Sequence, residues 1–313
     1  MKLAPRTVDP GPRGYGLAKD AWTAFWQDPG QSRCVAAAHD IWQVLTHHWA
    51  TFAAKLAHGT RVLDLGCGAG AVARLMLAAR GDVQVTGIDF ARVPLVLHPN
   101  FELLSDTPME SLPFGEHCFG AVVSQFGYEY SQTDAAAREL AQVLAPGARL
   151  AFLAHHSESS IVATNRTRLN ALIGFLGPMT RSTFCSGDIA TFNALMASLK
   201  EKHPHDSLIQ ELARSLPSRV ERTPREKAAI WTAIEDALAP ERCLADALNS
   251  CCVASTELDE WLAPLRGICD LAPVTVLRAP DGEPIAWKIE GIRRVAGAEA
   301  PPGGPQRESI AAS

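Results

Sequence analysis

Arg61-Val62-Leu63-Asp64-Leu65-Gly66-Cys67-Gly68-Ala69-Gly70 is the stretch from which the rest of the chain can be read. β-Branched and aliphatic residues lead to an acid, three glycines follow, and Ala71 to Arg80 then has helix-forming composition. That order is strand, tight turn, helix. Glycine permits a positive φ and puts no Cβ between backbone and ligand, so a nucleotide-like molecule can lie on bare amides at the helix N-terminus. Asp64 stands two residues before the first glycine. A carboxylate there repels the pyrophosphate of a dinucleotide and favours a ligand that carries an ammonium group.

Gly66, Gly68 and Ala71 also satisfy the looser G-x-G-x-x-G/A dinucleotide fingerprint. With Asp64 and Gly70 added, the pattern resembles motif I of the class I S-adenosylmethionine (SAM) methyltransferases, D-x-G-x-G-x-G. The resemblance implies a Rossmann-like α/β fold, with a seven-stranded, mostly parallel sheet that ends in an antiparallel C-terminal hairpin. It implies SAM as cofactor, S-adenosylhomocysteine as product and no metal. It also places Asp64 near the amino end of the cofactor's methionyl part, with Gly66, Cys67, Gly68 and Gly70 as the shelf.

The 313 residues suffice for one large domain or a domain with a substantial addition. A net charge of -5, with no cluster of Lys or Arg, gives no electrostatic reason to bind a nucleic acid. No stretch is long and apolar enough to span a bilayer, and no charged start leads into an apolar segment, so a cytoplasmic protein is expected. The eight cysteines lack metal-ligand spacing and read as reduced thiols.

Residues 1 to 58 read as an arm with helices. Trp22 and Trp26, with Phe25 between them, share a helix face. Such a stripe either packs the arm on the domain or closes over a ligand as a lid. Residues 34 to 57 follow as a long amphipathic helix.

Past the glycine turn, Val83 to Asp89 is a second strand that ends in an acid at the spacing expected of a ribose-binding carboxylate. Asp89 is assigned that role, and Phe90 flanks the adenine. Phe101 to Asp106 is a third strand. Methyltransferases of this resemblance carry an acid after it that meets the adenine amino group, then an L-P-F turn. Here the spacing to Leu112-Pro113-Phe114 is longer, which leaves Asp106, Met109 and Glu110 as alternatives. The fourth strand, Ala121 to Phe126, brings Ser124 and Gln125 to the cofactor and feeds Gly127-Tyr128-Glu129-Tyr130. Ligands of open α/β sheets bind beyond the carboxyl ends of strands, so Tyr128, Glu129 and Tyr130 are acceptor-side candidates. A fifth strand, Ala148 to His156, ends in two histidines whose rings alternate across it; His155 is a candidate general base.

Residues 59 to 156 thus form the cofactor-binding core. Residues 157 to 268 have the pattern of several helices, Ile161 to Leu176, Ile189 to Leu199, Ser207 to Leu216, Arg225 to Leu238 and Thr256 to Ala263, divided by Pro, Gly and Ser breaks and inserted between the fifth and sixth strands, a surface for choosing substrate or for pairing two copies as a homodimer. Residues 269 to 295 supply two strands about an Asp281-Gly282 turn, and residues 296 to 313 read as a disordered tail. The expected activity is methyl transfer from SAM to an O, N or C nucleophile of a small molecule, on catalytic candidates His155, Glu129 and Tyr128. The resemblance is to the type 11 small-molecule branch. The rival readings are an NAD(P)-dependent oxidoreductase and a non-catalytic SAM-binding protein.

Overall fold

Apolar runs buried on both faces become the parallel centre of a sheet, as the sequence pattern requires. The computed structural model describes residues 14–28, 39–94, 98–217 and 222–295. The expected mobile start of the arm, the first residues of the helix expected from residue 34, and the tail from residue 296 lie outside these. Strands β1 (Arg61–Leu65), β2 (Gln84–Ile88), β3 (Phe101–Leu104), β4 (Phe119–Gln125) and β5 (Leu144–His155) are joined in parallel. β6 (Cys269–Leu271), β7 (Thr275–Arg278) and β8 (Pro284–Arg293) follow, and β8 runs antiparallel to β5. The order is β3-β2-β1-β4-β5-β8-β6, with β7 also on β8.

Eight strands appear where seven are expected, because the sixth is split. β6 and β7 lie in line along β8, and the pairing slips by one residue between Leu271 opposite Gly291 and Thr275 opposite Lys288. Pro273 sits in that slip. It has no N–H to give, which an edge strand tolerates at a bulge.

Helices cover both faces. α2 (His39–Ala54) and α3 (Ala71–Ala79) bury Trp49, Phe52 and Met76 against one side. On the other side α4 (Thr133–Val143) meets α10 (Leu258–Ile268) over Leu140, Phe152 and Leu262. Thr133 opens α4 without capping it; the cap position is Gln132, and no side chain bonds there.

Between β5 and α10 the chain builds α5 (Ser160–Phe175), α6 (Pro178–Ser186), α7 (Ile189–Lys202), α8 (Ser207–Ser215) and α9 (Pro224–Cys251). Ser159, Asp188, Asp206 and Thr223 accept N-terminal amide hydrogens at four of them, as side-chain caps do. Phe175, Phe184, Phe192 and Trp231 give this region a core of its own. α6 has no counterpart in the sequence reading. α9 runs on for thirteen residues past Leu238, where the pattern predicts its end, and passes through Pro240. That continuation carries its C-terminal turn to the edge of the parallel sheet. α1 (Gly14–Gln27) packs against α9 and over the turn after β1. No helix among the described residues is long and apolar enough to cross a membrane.

Candidate functional site

The turn after β1 is built by left-handed glycines: φ is 63° at Gly66, 49° at Gly68 and 75° at Gly70. A Cβ on Gly66 would stand 3.1 Å from the Cα of Gly127, so the turns after β1 and β4 touch backbone to backbone. Gly68 donates its N–H to Asp89 Oδ2 and Ala91 donates to Oδ1, both at 2.9 Å. Asp89 is thereby locked between the two turns. Burial pushes its carboxyl up to about 6.

Asp64 lies beneath this turn and does not line the cavity above it. It is 1% exposed, and neither oxygen makes a well-formed hydrogen bond. Burial, and next the charge of Asp89, push it up to about 8, against a weak pull from the Ala73 backbone N–H. This corrects the sequence reading of Asp64 as a carboxylate that faces the ligand: the side chain is buried below the turn, where burial favours its uncharged form. The consequence for stability has a definite sign. With its folded value above the unfolded one, stability from this group is complete below about pH 4 and is lost as pH rises through about 8. Burial lowers His48 and His155, which act in the opposite sense, but only below about 6.5, where unfolded histidine titrates. Melting temperature is therefore expected to fall by roughly 5 °C between pH 6.5 and 8.5, for a loss on the order of 2 kcal/mol. Asp64→Asn should flatten that slope; a wild-type protein that grows more stable over this range contradicts the assignment.

Above the turn is a cavity of about 410 Å³, at the carboxyl ends of β1, β2 and β4. Of the residues singled out from sequence, Gly66, Asp89, Phe90, Met109, Glu110 and Glu129 line it, together with Tyr130. Cys67, Gly68 and Gly70 shape the turn without lining the cavity. Asp106 is out of it altogether, on the surface, with Lys19 at 2.9 Å and Arg92 at 3.4 Å. Ser124 and Gln125 are also spent elsewhere. Ser124 donates to the Leu65 carbonyl at 2.9 Å and accepts from the Tyr128 N–H at 3.0 Å, which ties β4 to β1. Gln125 accepts the indole N–H of Trp49 at 2.7 Å.

Two catalytic candidates are corrected. Tyr128 points into the core, its ring 4.8 Å from Phe152 and its hydroxyl donating to the Thr133 carbonyl. The His155 ring is buried and stacked on Phe126 at 4.3 Å, pushed down to about 3 by burial, and does not line the cavity. An imidazole so buried is a poor proton acceptor at neutral pH. The neighbouring His156 stacks on Trp287 at 4.3 Å, outside the cavity lining as well.

Glu129 is different. It sits in a single 3-10 turn (Tyr128–Tyr130) directly after β4. Its Oε1 accepts the His155 backbone N–H at 2.8 Å, and its Oε2 is buried with no partner. Burial pushes the carboxyl up to about 7, within the range of a proton acceptor at physiological pH.

The roof and end wall come from outside the core. Ala18, Trp22 and Trp26 of α1 and Ala247, Ser250 and Cys251 of α9 line the cavity. A Cβ on Gly68 would fall 2.3 Å from the Trp26 ring, so the indole packs directly against the turn. The aromatic stripe thus packs the arm on the domain, and two of its rings are part of the cavity lining. The α9 residues carried no signal in sequence, because Pro240 read as the end of the helix.

The cavity fits an adenosyl group. Each Asp89 oxygen keeps a lone pair for a ribose hydroxyl, and Phe90 and Met109 offer apolar faces for a base. Residues 63–152 match the family described as a methyltransferase domain. That segment is similar to a methyltransferase domain, and the match does not extend beyond it.

No curated protein matches the chain. Solved structures similar to it include 1,6-didemethyltoxoflavin-N1-methyltransferase of Burkholderia thailandensis, at 13% identity over 94% of each chain with a TM-score of 0.47. A SAM-dependent methyltransferase from Aquifex aeolicus aligns at 12% identity over 79% of this chain and 89% of its own, with a TM-score of 0.41. Geranyl diphosphate C-methyltransferase from Streptomyces coelicolor A3(2) aligns at 14% over 52% and 73%, with a TM-score of 0.39. The chain spans about three fifths of the length of three further solved chains, 62%, 56% and 59%. The matched segment holds the last three residues of β1, β2 to β4, most of β5, the glycine turn, Asp89 and Glu129.

Proposed function

We propose that the chain moves a methyl group from SAM to an O, N or C nucleophile of a small molecule and releases S-adenosylhomocysteine. The observation that carries this reading is a single cavity in which the glycine turn, the locked Asp89 and the half-satisfied Glu129 face one another. When bound, SAM supplies a methyl group already activated by its sulfonium, so the protein's task is to align, desolvate and accept a proton.

In this reading Asp89 accepts the ribose hydroxyls, and Phe90, Met109 and Glu110 surround the base. Gly66 gives the backbone its close approach, while Cys67, Gly68, Gly70 and the buried Asp64 keep the turn in shape from behind. Trp22 and Trp26 exclude water above the site. Glu129 holds the acceptor and takes its proton. Residues 157 to 268 act as a cap that selects the acceptor, and through α9 they supply one wall of its pocket. No role falls to a metal or to nucleic acid, and the protein is expected to work in the cytoplasm.

The test is transfer from methyl-labelled SAM into a small-molecule metabolite extract, with labelled products identified by mass. A labelled product that disappears with excess S-adenosylhomocysteine is the expected outcome. Reduction of a nicotinamide cofactor by the same extract, with no label transferred, would instead establish the oxidoreductase alternative.

A further inference from the structure

The cavity lining other than the turn and Asp89 has a chemistry of its own. Its floor is Phe126, Glu129 and Tyr130, and its roof is Trp22, whose ring meets Tyr130 edge-on at 5.8 Å. α9 closes the end with Ser250 and Cys251. Aromatic surfaces of this kind favour a flat ligand, which they bury at little cost in ordering.

Charge narrows the ligand further. Asp89, Glu110 and Glu129 line the cavity, and among the described lining residues there is no Lys, Arg or His. An anionic ligand would enter against acids with nothing to pair it. The groups packed on Glu129 supply no positive charge either. The His155 ring is held neutral by burial, and the Cys251 thiol is pushed up, by burial first and then by Glu129 itself. Oε2 of Glu129 therefore stands buried, unpartnered and in need of a hydrogen-bond donor.

Resting on the methyl-transfer reading of the same cavity, we propose that the acceptor is a flat aromatic molecule with a ring N–H or O–H and no anionic group. It lies against Trp22 and Tyr130 and donates to Glu129 Oε2, while Ser250 and Cys251 limit its length. A lone pair of the acceptor nitrogen or oxygen bonds the methyl carbon as the carbon–sulfur bond breaks, and that pair stays on sulfur as a neutral thioether. The acceptor's proton passes to the Glu129 carboxylate, which becomes a carboxylic acid and returns the proton to solvent.

Calorimetric titrations of the full chain, saturated with S-adenosylhomocysteine, test this with three related probes. 4-Hydroxyquinoline offers the flat ring and the donor, N-methyl-4-quinolone lacks the donor, and 4-hydroxyquinoline-2-carboxylate adds an anion. The first should bind about tenfold or more tighter than the other two. In Glu129→Gln the pH dependence of its binding, which in the wild type changes around pH 7, should vanish. Ser250→Phe should weaken the bicyclic probe by about tenfold and spare 4-hydroxypyridine. Equal or tighter binding of the carboxylate or the N-methyl compound, or no binding of any neutral probe, overturns the proposal. If S-adenosylhomocysteine itself does not bind, it is the methyl-transfer reading that fails.

Discussion

Asp89→Ala is expected to weaken S-adenosylhomocysteine binding by about a hundredfold, because two charge-assisted hydrogen bonds of about 1.5–3 kcal/mol each are lost together. The loss has a second part. The N–H groups of Gly68 and Ala91, now satisfied by the two carboxylate oxygens at 2.9 Å, are left without acceptors, and the turns that they fix come apart. Asp89→Asn separates these contributions. An amide oxygen can keep one of the two N–H bonds, but its NH2 group faces the other as donor against donor, so an intermediate loss of about tenfold is expected. Calorimetric titration of the three proteins measures both. If Asp89→Ala binds within twofold of the wild type, Asp89 has no part in the cofactor site.

Gly127→Val is expected to be the most damaging single change to the fold, costing on the order of 3 kcal/mol or more. Its φ of -133° is open to any residue, so the reason is space and not backbone strain. A Cβ there would lie 2.8 Å from the Leu65 carbonyl oxygen, 3.0 Å from Ser124 Oγ and 3.2 Å from the Cα of Gly66. None of these is the loose end of a flexible side chain. Two are backbone atoms, and Ser124 is held by its own hydrogen bonds to β1 and to Tyr128. Gly267, inside α10, is the control: a Cβ there meets nothing within 4 Å. Gly267→Ala should be neutral or stabilising by up to about 1 kcal/mol, since alanine favours the helix. Urea unfolding of both variants decides the matter, and a Gly127→Val protein as stable as the wild type would mean that the β1 and β4 turns do not meet as described.

What could be read from sequence was what local pattern encodes. Arg61 to Gly70 shows its strand, turn and helix because glycine spacing and apolar alternation are short-range signals. Asp89 and Glu129 followed from their places just after strands two and four. What could not be read depends on which way a side chain turns once neighbours arrive. His155 and Tyr128 are adjacent in kind and position to the cavity, but each found an aromatic partner in the core, Phe126 and Phe152. Asp64 was read as a charge facing a ligand, whereas the turn that it supports closes over it, and burial there favours its uncharged form. The wall from α9 was hidden by Pro240. A proline ends an isolated helix, yet here the helix continues because α1 and α5 pack along it. The split of the sixth strand at Pro273 was equally hidden, since it depends on register with β8.

The most direct test of the cofactor site is one titration of the wild-type chain with S-adenosylhomocysteine and, separately, with NAD. One-to-one binding of the first in the range of about 1–100 μM, with none of the second at millimolar concentration, is the expected result. Binding of NAD without binding of S-adenosylhomocysteine would contradict it.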